Sequence, residues 1–171
     1  AGIAELGAKL GPLVWQFDRG QRIERGAFEE FLALLPRETG GLALRHVLDV
    51  RDPAFVDAAY LALARRHGMA TVFTDSGEHP SFADLTADFV YARLMRSRGE
   101  VETGYPDAEL QAWAGRARQW SQGAAPADLP YIDAASTTAS PRRDVFVYFI
   151  SAAKERNPAA AMALLRQLGA Y

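Results

Sequence analysis

The sequence predicts an α/β protein: a TIM (β/α)8 barrel, N-terminally incomplete, with about five parallel strands and covering helices. Three observations favour this fold class. Short continuous apolar runs alternate with segments of helical periodicity, which is typical of parallel strands covered by helices. Two strands carry charge on one face and aliphatic side chains on the other, as a barrel wall does. Each strand–helix unit averages about 34 residues, and eight such units need roughly 250 residues or more, which is the usual size of a barrel.

The predicted elements follow one another in a regular order. The strands are predicted over the apolar runs 12–17, 44–50, 70–74, 88–94 and 145–150. The helical stripes span residues 28–35, 55–63, 110–120 and 158–168. We expect all of them to form a single domain, residues 1–171, and a complete barrel would need three more strands ahead of it.

Proline, glycine and capping residues indicate where these helices begin and end. The first helix is predicted to stop at Pro36, and Gly68 ends the second. Asp52 and Pro53 form an N-cap and first-turn pair, so the second helix is predicted to begin there. Residues 122–142 are rich in Ala, Pro, Ser, Thr and Gly and are predicted to be a mobile loop within the domain.

The alternation of side chains separates two faces of the second strand. Asp49 and Arg51 share one face with Val47, whereas Leu48 and Val50 share the other. The fourth strand repeats the division, with a polar face of Tyr91, Arg93 and Met95. An open doubly wound sheet is the alternative architecture. The first strand–helix connection, however, lacks both G-x-G-x-x-G and a Walker loop, so nucleotide binding of those kinds is not supported.

Composition and charge exclude several classes of function. The chain is 49% hydrophobic and 23% charged, which is ordinary for a globular protein. Its formal net charge of −2 gives no electrostatic case for nucleic acid or an anionic membrane as a partner. There is no cysteine, so disulfides and thiolate metal sites are impossible, and a cytoplasmic location is expected. No apolar run approaches ~18 residues, so no membrane span is expected.

Six sequence segments, taken in order, carry a resemblance to a known family. They are LGPLVWQF (10–17), LRHVLDVRDPAF (44–55), FTDSGEHP (73–80), TADFVYARL (86–94), GYPDAELQAWA (104–114) and DVFVYF (144–149). Together they resemble the YecE-like family, domain of unknown function 72, in its fourth to eighth strands. The resemblance implies the C-terminal part of a TIM barrel from the bacterial cytoplasm, with no established activity. It also implies three earlier strands in a complete protein.

The chain departs from the pattern of that family at three strand ends. The residues that replace the usual His, Ser, His-Gly and Asn/Asp-Asn are Asp52, Ala54, Met95-Arg96 and Ile150-Ser151. These changes remove two proton carriers and one polar pair from the expected mouth of the barrel. The chain therefore resembles a diverged branch of the family.

In a barrel the functional groups lie at the C-terminal ends of the strands. The polar residues expected there are Gln16, Asp49, Arg51, Asp75, Ser76, Arg93, Tyr148 and Lys154. The cations Arg51, Arg93 and Lys154 are predicted to hold a phosphate or carboxylate. Asp49 or Asp75 is the candidate general base, and Tyr148 and Gln16 are predicted to contact the ligand. The alternative is an internal ion-pair network between Asp49 and the two arginines.

Metal and cofactor chemistry have little support in the sequence. Of the histidines His46, His67 and His79, only His79 is expected on the mouth side, and no metal-binding spacing occurs. We therefore expect no metal and no cofactor. The working hypothesis is a protein that binds a small anionic or phosphorylated ligand, with catalysis left open. The alternatives are a non-catalytic binding or scaffolding protein and, by superfamily analogy, a nucleic-acid-processing hydrolase. Self-association is expected if the chain is truncated, because its edge strands would be open.

Overall fold

The fold alternates strands with helices, and the computed structural model describes residues 2–21, 23–133 and 142–170. The strands are β1 (Leu13–Phe17), β2 (Glu38–Thr39), β3 (Leu42–Ala43), β4 (His46–Val50), β5 (Ala70–Thr74), β6 (Phe89–Leu94) and β7 (Asp144–Phe149). The helices are α1 (Arg25–Leu34), α2 (Ala58–Arg66), α3 (Asp107–Ser121) and α4 (Asn157–Leu168), with 3-10 segments at Ile3–Lys9 and Lys154–Arg156. Within these ranges no helix has the length and apolar character needed to cross a membrane.

Five of the strands form one parallel sheet in the order β1-β4-β5-β6-β7. This confirms the predicted α/β class, with five parallel strands and covering helices. In the described part of the chain, β1 and β7 are the two edges of the sheet, and the sheet is not closed.

The two faces of the sheet differ as the side-chain alternation predicts. Leu48 and Val50 of β4 pack in a cluster with residues of α1 and α2. Val90, Ala92 and Leu94 of β6 pack in another with residues of α3 and α4. The opposite face carries a separate apolar cluster, which consists of strand residues together with Ala87. The strand residues are Val47, Ala70, Val72, Phe89, Tyr91 and Phe146. The charged ends of the strands lie beyond this cluster, on the same face.

The start of α2 differs from the prediction. The helix begins at Ala58, and its N-cap is Asp57, whose carboxylate accepts the N–H of Tyr60 at 2.8 Å. Asp52 instead accepts the N–H of Ala54 at 2.9 Å in a separate turn. Phe55 lies outside the helix and is nevertheless buried. The apolar stripe thus indicated the burial of Phe55, Tyr60 and Leu63 correctly, but its member Ala59 is exposed. The competing Asx turn at Asp52 displaced the helix start.

A hairpin that the sequence analysis did not predict precedes β4. Strands β2 and β3 pair in antiparallel fashion, with Thr39 opposite Leu42. The two residues of the turn, Gly40 and Gly41, have φ values of 57° and 77°, a conformation that favours glycine and suits a two-residue hairpin turn. The hairpin is followed directly by the predicted run 44–50, in which β4 begins only at His46.

The predicted mobile loop 122–142 falls partly outside the described residues, which omit 134–141. Its first half is hydrogen-bonded to the rest of the molecule. The carboxylate of Asp84 accepts the N–H groups of Ile132 and Asp133, both at 2.9 Å. Within the loop itself, the hydroxyl of Tyr131 donates to the carbonyl of Pro126 at 2.8 Å. Mobility of the loop as a whole stays a prediction.

Candidate functional site

Four polar side chains meet at the C-terminal edge of the sheet, and we call Gln16, Asp49, Arg51 and Arg93 the Asp49 cluster. Gln16 and Asp49 are opposite each other in the pairing of β1 with β4. Arg93 of β6 donates to Asp49 Oδ2. Nη2 of Arg51, one residue beyond β4, lies 3.3 Å from the same oxygen. Gln16 Oε1 accepts from Arg51 at 2.9 Å and from Arg93 at 3.4 Å.

The Asp49 cluster carries one net positive charge, because two guanidinium groups share one carboxylate. The side chain of Asp49 is 10% exposed, and those of Arg51 and Arg93 are 17% and 20% exposed. Charges this sheltered must be paired to avoid a cost of several kcal/mol. The structure therefore has the ion-pair network that the sequence left as the alternative to ligand contact. The exposed carboxylate of Asp18, which also approaches Arg51, offsets part of the positive charge that remains.

An open cavity of about 540 Å³ adjoins Arg51. It is lined by Asp18, Arg19, Arg51, Gly77, Glu78 and His79. Asp18 lies 3.9 Å from Arg51 Nη1 and accepts from Gln16 Nε2 at 2.8 Å. Arg51 Nε is buried and has no hydrogen-bond partner in the described structure. Arg51 thus links the Asp49 cluster to a space of the size that small-molecule sites occupy.

Tyr148 stands beside the cluster, opposite Arg93 in the pairing of β6 with β7. Its ring stacks on Tyr91, with ring centroids 4.9 Å apart and planes inclined by 26°. Tyr148 is 40% exposed, whereas Tyr91 is buried. Burial, reinforced by the neighbouring Tyr148, raises the pKa of Tyr91 to about 12, so that phenol stays neutral near pH 7. The exposed face of Tyr148 is available to a ligand at the edge of the sheet.

Asp75 does not join the Asp49 cluster. It follows β5, and its carboxylate accepts the N–H of Met95 at 2.6 Å and the hydroxyl of Tyr105 at 3.0 Å. Tyr105 belongs to the core cluster on the helix-covered face, so Asp75 serves that side of the sheet. Burial raises the pKa of the Asp75 carboxyl, against the lowering effect of its two hydrogen bonds and of Arg96. The structure therefore does not bring Asp75, the alternative candidate for the general base, together with Arg51 and Arg93.

Two other predicted mouth residues also lie apart from the cluster. Lys154 is exposed at the start of the 3-10 segment after β7, and within the described residues its side chain makes no hydrogen bond or ion pair with the four cluster residues. Ser76 is buried, where its hydroxyl accepts the N–H of Glu78 at 3.1 Å in a turn. Among residues 2–21, 23–133 and 142–170, no group of three His, Cys, Asp or Glu side chains could hold a metal ion.

The charged residues Asp18, Arg19 and Glu78 of the cavity wall and the stacked Tyr91 were not among the predicted site residues. Asp18 and Arg19 directly follow β1, so their position at a strand end was a usable signal. Tyr91 was placed on the polar face of its strand but was not proposed as part of the site. Its stacking on Tyr148 depends on the register of β6 and β7, which the sequence alone does not supply.

Comparison with known proteins assigns the family. A family model described as a protein of unknown function, DUF72, matches residues 1–171. The chain belongs to the DUF72 family. The YecE-like resemblance in the sequence refers to this same family, so that expectation is confirmed. No curated protein matches the chain.

Solved structures of DUF72 proteins share this fold. A DUF72 protein from Thermotoga maritima is 17% identical, with a TM-score of 0.57, and the match covers 92% of this chain and 56% of that one. Two structures of a DUF72 protein from Enterococcus faecalis are 11% identical, with TM-scores of 0.65 and 0.63. They match 95% of this chain and 60% and 62% of their own length. This DUF72 chain thus spans less than two thirds of these proteins, and at such identities the likeness shows the fold alone.

Proposed function

We propose that this DUF72 chain binds a small anionic ligand, such as a phosphorylated molecule, in the cavity beside the Asp49 cluster. The observation that carries the proposal is the position of Arg51: it is sheltered, it shares the carboxylate of Asp49 with Arg93, and it also lines the cavity. Arg19 and His79 line the same wall, together with the carboxylates of Asp18 and Glu78. Guanidinium binds phosphate and carboxylate in a bidentate geometry, which favours these groups as ligands.

The arrangement favours binding over catalysis. Both arginines contact the same oxygen of Asp49, so this carboxylate is already engaged within the protein. A general base must lie within hydrogen-bond reach of the proton that it takes from its substrate. A binding protein without catalysis is therefore the form of the proposal that these contacts favour, with the same class of ligand.

The test is titration calorimetry with inorganic phosphate on the wild-type chain and on Arg51→Gln. Loss of one charge-assisted hydrogen bond is worth roughly 1.5–3 kcal/mol, so we expect about a tenfold weaker affinity or more. Arg166→Gln is the matched control, because Arg166 is exposed near the end of α4 and its loss changes the net charge equally. Equal affinities of Arg51→Gln and wild type would refute the site.

We also propose that these strands are the C-terminal part of a TIM barrel. The matched structures are longer than this chain, which leaves room for further strands in such proteins. On the face of the sheet opposite the helices, the edge strands expose Val14 and Tyr148 at 39% and 40%. Closure would cover both. Limited proteolysis of the longest natural form of this protein tests the idea: one resistant body supports a closed barrel, and cleavage ahead of β1 that leaves this part intact counts against it.

A further inference from the structure

A second cavity, of about 470 Å³, lies on the helix-covered side of the sheet and is separate from the Asp49 cluster. We call it the Asp75 groove. Its lining includes Phe73, Asp75, Arg96, Ala112, Trp113 and Leu129, none of which lines the cavity at Arg51. Phe73 and Trp113 are buried and in ring contact, with centroids 5.6 Å apart. They form the apolar floor, and the small side chain of Ala112 leaves the groove open above it.

The polar end of the Asp75 groove has spare hydrogen-bonding capacity. A carboxylate has about four acceptor positions, and Asp75 uses two of them, for the N–H of Met95 and the hydroxyl of Tyr105. In the described structure no arginine or lysine forms an ion pair with it. Burial raises its pKa, which indicates that the negative charge is incompletely compensated. A cation beside Asp75 would compensate its negative charge.

Arg96 supplies the opposite charge at the same groove. Its side chain is exposed and makes no hydrogen bond or ion pair with any described residue, although its charge acts on Asp75. The other charged groups of the groove are already engaged. Glu109 pairs with Arg98. Arg116 lies 4.1 Å from the centre of the Trp113 ring and pairs with Asp128 at 2.7 Å. Within the described residues, the groove therefore offers one anion and one cation without ion-pair partners, above an apolar floor.

We propose that the Asp75 groove binds a free α-amino acid with an apolar side chain. Its ammonium group would contact Asp75, its carboxylate would contact Arg96, and its side chain would lie against Phe73, Ala112 and Leu129, because the guanidinium of Arg116 already covers the Trp113 ring. The ligand would match the groove in charge and in shape: two opposite charges that form no ion pair with each other lie beside an apolar lining. A cavity of about 470 Å³ is within the range of small-molecule sites.

The test is titration calorimetry with L-leucine on the wild-type chain, on Ala112→Leu and on Arg96→Gln. Ala112 is exposed on α3, so a leucine there fills the groove without disturbing the core. Gln119→Leu is the matched control, because Gln119 is exposed on the same helix and does not line the groove. We expect wild type and Gln119→Leu to bind equally. Ala112→Leu should lose binding, and Arg96→Gln should bind at least about tenfold more weakly, since a charge-assisted contact is removed.

Two analogues separate the charge requirements. Leucinamide lacks the carboxylate and N-acetylleucine lacks the ammonium group, and the proposal expects both to bind at least about tenfold more weakly than leucine. If N-acetylleucine binds as well as leucine, Asp75 is not the ammonium partner and the proposal fails. It fails equally if wild type shows no binding of leucine at about 10 mM, or if Ala112→Leu binds it unchanged.

Discussion

Asp49→Asn is expected to have opposite effects on stability and on anion binding. The change keeps the size of the side chain and removes the charge that Arg51 and Arg93 share. Breaking a buried ion pair at one partner costs about 3–5 kcal/mol. Because the two arginines keep 17% and 20% exposure, solvent offsets part of this, and we expect a loss of about 2–3 kcal/mol. The variant should still fold, since domains have roughly 5–15 kcal/mol of stability.

The same substitution raises the net charge of the Asp49 cluster from +1 to +2. A unit charge about 6 Å from a bound anion contributes about 0.7 kcal/mol in water and about 2.8 kcal/mol at an effective dielectric constant of about 20. Phosphate should therefore bind between about threefold and a hundredfold more tightly to Asp49→Asn.

Urea unfolding and phosphate titration measure the two effects on one preparation. Asp144→Asn is the control for stability, because the Arg45–Asp144 pair is 42% and 63% exposed and should contribute only about 0–1 kcal/mol. Weaker phosphate binding by Asp49→Asn would refute the electrostatic reasoning, since it would mean that Asp49 itself contacts the ligand. An unchanged free energy of unfolding would refute the ion-pair network.

Three further outcomes are expected. Trp15→Phe should lower the free energy of unfolding in urea by about 1–3 kcal/mol. The indole N–H donates to His46 Nδ1 at 3.0 Å, and its loss leaves that buried nitrogen without a partner. A change near zero would contradict this prediction. Asp75→Asn should flatten the pH dependence of the free energy of unfolding above pH 3.8, the ordinary pKa of an aspartate. Burial raises the pKa of Asp75 in the folded state, so protonation of this carboxyl stabilises the wild type. That stabilisation is lost as the pH rises through the raised pKa. If the wild type instead gained stability relative to Asp75→Asn as the pH rises, the prediction would be wrong. Gly104→Ala should lower the melting temperature more than Gly41→Ala does. Both glycines have positive φ (70° and 77°), but only at Gly104 would an added Cβ lie 3.1 Å from side-chain atoms. Equal melting temperatures would show that the packing around Gly104 is loose.

The sequence was sufficient for the order of elements because burial leaves a strong periodic signal. Runs of apolar residues identified all five strands of the parallel sheet to within two residues at each end. It was insufficient where two local signals compete. Asp52-Pro53 predicted the start of α2, but Asp52 closes a separate turn with the N–H of Ala54, and Asp57 caps the helix instead. The hairpin around Gly40-Gly41 has strands of two residues each, too short for alternation to be visible.

The alternation of side chains between the two faces of a strand, its parity, predicted part of the candidate site. Parity along β4 and β6 placed Asp49, Arg51 and Arg93 on one face, and the structure brings these three together. The same alternation along β5 places Asp75 on the face of Phe73, which is the helix-covered face, so the sequence did contain the signal that separates Asp75 from the arginines. Lys154 lies well beyond the end of β7, where the alternation no longer fixes the direction of a side chain.

Asp49 and Asp75 lie on opposite faces of the sheet, so experiments can distinguish the two proposed sites. Asp49 is already matched by two guanidinium groups, so additional negative charge is what its surroundings attract. Asp75 has hydrogen bonds but, within the described residues, no ion pair, so positive charge is what its surroundings attract. Since the two cavities share no lining residue, Arg51→Gln should weaken phosphate binding without affecting leucine, and Ala112→Leu should do the reverse. If one substitution weakened both ligands, a single connected site would replace the two, and the charge argument for each would have to be abandoned.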